Sequence, residues 1–362
     1  MGLLIDKQLK NDLSPVMENL FGKTIEELQT LCAAEGWPRF TARQISDWLY
    51  AKHICNIDDM TNLARTTRGR LSEIAAIGRA VPETCQTSSD GTKKYLFTIG
   101  GTDSAGLHSV ETVFIPDGER ATACVSCQRG CRMGCRFCVT GRQGFHGNLT
   151  AGDILSQLVS LPENERLTNV VFMGMGEPMD NYDAVLAATR IMTADGGFGW
   201  SPHRITVSSV GITPMVERFI EESDCHVAIS LHNPFPQQRK EIMPVENRYP
   251  VEKLIERLRR YDWHGQRRLS FEYIMFDGFN DSKLHCDALT RLLKGLGCRI
   301  NLIRFHTSPD MPFRPSPREK IERFCEQINR QGLRCTVRAS RGEDIMAACG
   351  LLSGQQTGNT HI

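Results

Sequence analysis

The chain has 362 residues, enough for one barrel-sized domain and a smaller companion, and its 43 basic and 42 acidic side chains leave a net charge of +1. That balance excludes a field of one sign over the whole surface, so contacts with nucleic acid must come from local patches. No apolar run is long enough to span a bilayer, the first ten residues lack a signal-peptide core, and Asp6 stands where myristoylation wants Ser or Thr. The expectation is a soluble, cytoplasmic protein.

Residues 1–80 read as a helical unit. Thr24 and Glu27 have the spacing of a capping box, and residues 43–50 continue at helical periodicity. Arg39, Arg43, Lys52, His53, Arg65, Arg68 and Arg70 make this unit either RNA-facing or simply solvated. Residues 81–118 read as a small β-hairpin module, with Asp90-Gly91 as the turn between 83–89 and 92–99 and a third strand at 108–115.

From residue 119 apolar runs alternate with helical segments. Strands are expected at 121–126, 169–175, 204–210, 226–231, 269–275 and 299–305, with 334–338 near the end. Helices are expected at 151–161, 182–192, 213–222, 251–261, 284–296 and 317–331. Repeated β-then-α units imply a parallel sheet with right-handed crossovers. Six units fall short of the eight that close a barrel, so the fold class is α/β, a partial (β/α)6 barrel of the TIM type over 119–353. The tail, 354–362, is polar and expected to be disordered.

Of the 14 cysteines, eight are scattered and read as small buried hydrophobes. The informative group is Cys131, Cys135 and Cys138, spaced C-x3-C-x2-C in a Gly-rich loop after the first barrel strand. Three thiolates can hold three irons of a 4Fe-4S cube and leave the fourth open to a small chelating molecule. The rival is a structural zinc held by Cys124, Cys127, Cys135 and Cys138. Its pairs are seven residues apart, where about 12 to 20 are usual.

Three further stretches end barrel strands or the chain. Gly174-Met175-Gly176-Glu177-Pro178 reads either as a tight turn or as backbone approaching a ligand, with Glu177 accepting from an amine. Ser208 and the run Ser230-Leu231-His232 sit at strand tips, facing the barrel cavity or satisfied locally. Arg341-Gly342-Glu343-Asp344 leads to Cys349-Gly350, an inert buried thiol or one that must move.

In this combination and order, the motifs resemble the RlmN family of dual-specificity 23S rRNA and tRNA adenine C2-methyltransferases, within the radical S-adenosylmethionine superfamily, over residues 20–353. The resemblance implies a 4Fe-4S cluster on Cys131, Cys135 and Cys138. It implies S-adenosyl-L-methionine bound by Gly176, Glu177, Ser208, Ser230, Leu231, His232 and, at the position of a family Asn, His306. Two cofactor molecules are then consumed per methylation, one to methylate Cys349 and one to generate a radical. Glu111 matches the base, and Cys124 the thiol that resolves a covalent RNA adduct through a transient disulfide. The implied substrates are 23S rRNA at the peptidyl-transferase centre and tRNA 3′ of the anticodon, with electrons from a donor such as flavodoxin and its reductase, no membrane, and a monomer.

Arg129, Arg132, Arg136, Arg142 and His146, and later Arg257, Arg259, Arg260, Arg267 and Arg268, are candidate phosphate contacts. The chain departs from the family at His306, at Cys127 where Ser is common, and at Met346 and Leu351 beside Cys349. The competing readings are a resistance-type enzyme acting on carbon 8, which Glu177-Pro178 and 179–183 disfavour, a zinc-stapled RNA-binding protein, and a radical enzyme for a small molecule.

Overall fold

The computed structural model describes residues 17–99, 109–265, 267–307 and 311–354; the expected tail beyond 354 lies outside them. Helices α1 (Ile25–Ala34), α2 (Phe40–Tyr50) and α3 (Arg65–Ile74) form the N-terminal unit. The capping box is present: Thr24 Oγ1 accepts from Glu27 N, and the Glu27 carboxylate accepts from Thr24 N. Gly22, at φ +99°, lies so close to the helix at Ala151–Val159 that a Cβ on it would fall 2.2 Å from Gly152 N. A Cβ on Gly152 would fall 2.2 Å from Phe21 O, so glycine is required on both sides of this contact.

Ten strands form one sheet: β1 (Pro82–Thr87), β2 (Lys93–Thr98), β3 (Ser109–Asp117), β4 (Arg120–Cys124), β5 (Asn169–Phe172), β6 (Ile205–Ser209), β7 (His226–Ser230), β8 (Leu269–Met275), β9 (Cys298–Arg304) and β10 (Arg334–Arg338). Their spatial order is their chain order. β1 to β4 pair antiparallel, and every pairing from β4 to β10 is parallel. The hairpin segment thus continues the barrel sheet through β3 and β4. Helices α4 (Ala151–Val159), α5 (Tyr182–Thr193), α6 (Thr213–Glu222), α7 (Val251–Leu258), α8 (Lys283–Leu293) and α9 (Arg318–Arg330) each follow a parallel strand, which gives the six expected units plus β10.

Alternation along the strands sorts the two faces. Val170, Val207, Ile229, Phe271, Tyr273 and Leu302 are buried with the core apolar residues. The other parity carries Thr122, Thr206, Ser208, Ser230, Ser270, Glu272 and Asn301, which border the interior cavities. A closed barrel fills its interior with branched apolar side chains; this open one keeps a polar lumen. The segment after β10 laces back to the β1–β2 turn. Ser88 Oγ and Ser89 N donate to Asp344 at 2.6 and 3.0 Å, Gly342 N donates to Asp90 at 3.0 Å, and Arg341 pairs with Asp117 at 3.1 Å.

Candidate active site

The carboxyl ends of the parallel strands surround a cavity of about 140 Å³. Its lining includes Cys131, Cys135 and Cys138 from the loop after β4, Gly176 and Glu177 after β5, Ser208 from β6, Ser230 and His232 at the end of β7, and Cys349. Burial pushes the Cys131 thiol up to about 12 and those of Cys135 and Cys138 upward as well, so binding of a soft metal here would expel protons. Among the described residues no three His, Cys, Asp or Glu side chains converge on one point for a single ion. A cubane wants its three thiolates spread over three irons, and these three border one cavity.

The glycines after β5 serve a contact the sequence did not reveal. A Cβ on Gly174 would lie 2.6 Å from Val125 O, and one on Gly176, at φ +103°, would lie 2.6 Å from Gln128 Cβ. The backbone they admit is therefore the cysteine-bearing segment itself. Glu177 is buried, and its oxygens accept from Met179 N at 3.0 Å and Val210 N at 2.9 Å. Burial raises its pKa to about 7, against the opposing pull of the Val210 amide, the Ser209 hydroxyl and the Met179 amide.

His232 is held at φ +57°, in the left-handed region that a non-glycine residue seldom adopts. Its Nδ1 accepts from Ile274 N at 3.1 Å, which leaves Nε2 as the protonated nitrogen. Burial, and then the nearby Arg239 cation, lower its pKa to about 3, so the ring is neutral. Phe137 of the cysteine loop packs edge-on against it at 4.9 Å. Leu231 is fully buried in the core and contributes backbone only.

Cys349 follows the short helical turn Glu343–Ile345 and is pinned against the cysteine loop. Val139 N donates to Gly350 O at 2.8 Å, and Thr140 Oγ1 donates to Leu352 O at 2.6 Å. The Cys124 thiol is pushed up to about 12, mainly by burial and then by Cys349, while Arg338 opposes the shift. Glu111 is buried against Lys94 Nζ at 3.0 Å, and its Oε2 accepts from Ser353 N at 2.7 Å and Gly354 N at 3.2 Å.

Neither Cys124 nor Glu111 borders the cavity of the three cysteines, and His306 does not either. His306 faces the barrel lumen, where its Nε2 meets Ser340 Oγ at 2.8 Å and its Nδ1 lies 3.4 Å from Glu343. Cys127 is buried outside the cavity, its thiol raised by burial and then by Glu177 and Cys131. Among the candidate phosphate contacts, Arg132 pairs with Asp180 at 2.8 Å and covers Phe145, and Arg257, Arg259, Arg260 and Arg267 are each engaged by a carboxylate or a carbonyl.

Four supporting residues escaped sequence reasoning. Arg239, fully buried, donates to Val210 O, Ser230 O and Leu231 O at 2.8 to 3.0 Å and pairs with buried Glu246, so it ties together the tips of β6 and β7. Asn280 donates to His232 O and Ile274 O and accepts from Phe276 N, each at 2.7 Å. Lys94 is the partner of Glu111. Glu272 borders both the cysteine cavity and the lumen; its Oε1 accepts from Ser270 and Asn301, and its Oε2 is buried without a hydrogen bond. Nothing in the local sequence sets Arg239 apart from Lys240 or Asn280 from an ordinary turn residue. Glu272 was signalled by a carboxylate inside an apolar strand.

The Radical SAM superfamily model matches residues 125–289, and the ribosomal RNA large subunit methyltransferase N-terminal domain model matches residues 18–77. A protein of Parabacteroides distasonis named probable dual-specificity RNA methyltransferase RlmN is 50% identical over 334 residues, 92% of this chain and 96% of that one. The dual-specificity RNA methyltransferase RlmN of Syntrophus aciditrophicus is 43% identical over 341 residues, 93% of this chain and 97% of that one. The crystal structure of a radical SAM methyltransferase from Sphaerobacter thermophilus matches with a TM-score of 0.85 at 40% identity, covering 93% of this chain and 100% of that one. No helix among the described residues is long and apolar enough to cross a membrane. With relatives of that name 43% and 50% identical over more than nine-tenths of the chain, and with both family models matched, this protein belongs to the RlmN family of radical SAM methyltransferases.

Proposed function

We propose that the chain methylates carbon 2 of one adenosine in 23S rRNA and of one in tRNA, with Cys349 as the methyl carrier. The observation that carries this reading is that Cys349 borders both the cavity of Cys131, Cys135 and Cys138 and the barrel lumen. One sulfur is thereby open to a methyl donor on one side and to a base on the other. The family implies a 4Fe-4S cluster and S-adenosylmethionine, and the donor set fits: three thiols of one loop share a cavity with Glu177 and with Glu272, one of whose oxygens is buried without a hydrogen bond. When bound, these groups supply reductive one-electron cleavage of a sulfonium and hydrogen-atom abstraction, which electron-poor carbon 2 requires in place of polar displacement.

Cys131, Cys135 and Cys138 would hold the cluster through their thiolates, beside the amino group of the methyl donor. Glu177 accepts from that amino group. Ser208, Ser230 and the Nε2–H of His232 offer polar contacts around it. Cys349 takes up the methyl and then, through the same carbon, the adenosine, so the RNA is held covalently. Cys124, as thiolate, attacks the Cys349 sulfur, so that a sulfur–sulfur bond forms as the sulfur–carbon bond breaks; the electron pair of that bond goes to the methylene carbon, which takes a proton to become the product methyl, and a cytoplasmic thiol reductant reopens the disulfide each turnover. Glu111 removes the carbon 2 proton; with its Oε2 held by Ser353 N and Gly354 N, that role requires those residues to lift away. Two donor molecules are consumed per methyl transferred.

The adenosine must leave its stack to reach the barrel interior. Residues 1–80 face the RNA, 81–118 link that unit to the barrel of 119–353, and a flavodoxin with its reductase supplies electrons to a cytoplasmic monomer. The test is Cys124→Ala, which should trap protein crosslinked to RNA through Cys349. Mass spectrometry of nucleosides from modified RNA should then show 2-methyladenosine; 8-methyladenosine alone, or no adduct, refutes the assignment.

A further inference from the structure

The proposed reaction uses the end of the barrel where the strands finish. At the opposite end, Arg120 opens β4, Arg268 immediately precedes β8, Arg299 lies in β9 and Arg334 opens β10. The register sets Arg299 directly beside Arg334. All four border one cavity of about 380 Å³ that runs along the lumen past Ser270 and Asn301 to Cys349.

These guanidinium groups have no counter-ions among the described residues. Among the described residues, none of their side chains makes a hydrogen bond or ion pair, although the neighbouring Arg257, Arg259, Arg260 and Arg267 are all engaged. The carboxylates facing the same cavity are already held: Asp117 by Arg341 at 3.1 Å, and Glu272, deeper in, by Ser270 and Asn301 with Arg338 at 3.9 Å. His226 adds no further positive charge, because burial and then Arg268 push its pKa down to about 4. After burial, the charges that most oppose the Arg268 cation are Arg299, Arg120 and Arg334, as expected if the four crowd together. Like charges gathered in a recess oppose folding unless an anion joins them.

We propose that this mouth of the barrel is a binding site for a small oligophosphate, held by Arg120, Arg268, Arg299 and Arg334. Guanidinium forks match phosphoryl oxygens two at a time, four cations call for a ligand with several negative charges, and polar walls of Ser270, Asn301 and Thr206 suit a hydrophilic one. A free anion fits because the four guanidinium groups stand where β4, β8, β9 and β10 begin, at the far end of the lumen from Cys349, which leaves the stretch beside that sulfur open to the base. The site does not depend on which carbon of adenine is methylated.

Calorimetric titration of the cluster-loaded enzyme with inorganic tripolyphosphate, at an ionic strength of about 0.15 M and without RNA, tests this. One saturable site is expected, and R299Q/R334Q should weaken it by about tenfold or more. R318Q/R330Q, which removes the same charge from the exposed face of α9, should leave it unchanged. R299K/R334K keeps the charge and safeguards the fold, and should bind more weakly than wild type but better than the glutamine pair. Absence of saturable binding, or equal loss in R318Q/R330Q, overturns the site. Repeating the titration with substrate RNA bound should give the same affinity. Mutual exclusion, with R299Q/R334Q losing RNA affinity, would assign the arginines to the RNA backbone and overturn the small-anion reading.

Discussion

Arg239 offers the sharpest test of how the site is held. Replacing it with Met leaves the carbonyls of Val210, Ser230 and Leu231 without this donor and strands the buried Glu246 carboxylate, whose remaining partner is Val251 N. Removing one partner of a buried ion pair costs about 3–5 kcal/mol. An unfolding entropy of about 2.1 cal/mol/K per residue gives about 0.8 kcal/mol/K over 362 residues. The expected fall in Tm is therefore about 4–7 °C for the whole chain. Scanning calorimetry measures it, and equilibrium dialysis should show weakened S-adenosylmethionine binding because the tips of β6 and β7 loosen. The double variant R239M/E246L removes both charges and should recover more than half of the lost Tm. A single-variant fall below about 1 °C, or no recovery in the double variant, would refute the view that this cation is what ties the two strand ends.

Three further outcomes are expected. Cys131→Ala, Cys135→Ala or Cys138→Ala, purified without oxygen, should be colourless and hold little iron, whereas Cys127→Ala, outside the cavity, should keep its visible absorption and iron content. With the Cys124 thiol near 12, its thiolate fraction grows about tenfold per pH unit below that value, so breakdown of the RNA adduct in single-turnover assays should accelerate from pH 7 to 9; a flat profile would argue against Cys124 as the attacking thiol. Gly152→Ala places a methyl group 2.2 Å from Phe21 O. It should cost about 1–3 kcal/mol and make the N-terminal unit more sensitive to limited proteolysis, with little effect on iron content.

The sequence made the barrel legible because its parallel strands are buried on one face and bounded by helices of distinct period, so both the strands and the following helices fall close to their expected places. It also marked Cys131, Cys135, Cys138, Glu177, Ser208, Ser230 and His232, since spacing and strand-tip position bring such residues to one end of a barrel. Other features depend on contacts between distant residues. Nothing local distinguishes Arg239 from its solvated neighbour Lys240, because its partners lie on β6, β7 and the turn around Glu246. Lys94 becomes the partner of Glu111 only through the pairing of β2 with β3, which sets Leu96 opposite Glu111. His306 is tied to the cofactor only by the family resemblance, and its contacts with Ser340 and Glu343 join segments that no local pattern connects.

Cys349, the proposed carrier thiol, has a short leash. Asp344, anchored at the hairpin turn, stands five residues before Cys349, and Gly350, anchored to Val139 N, stands one residue after it. At about 3.3–3.6 Å per extended residue, the second anchor allows the sulfur only a small excursion while it holds. A methyl group carried on such a leash cannot be brought out to a polymer at the rim. On the proposed reading the nucleotide has to make the journey inward, and a guest too large to thread the opening would be turned away before any chemistry begins.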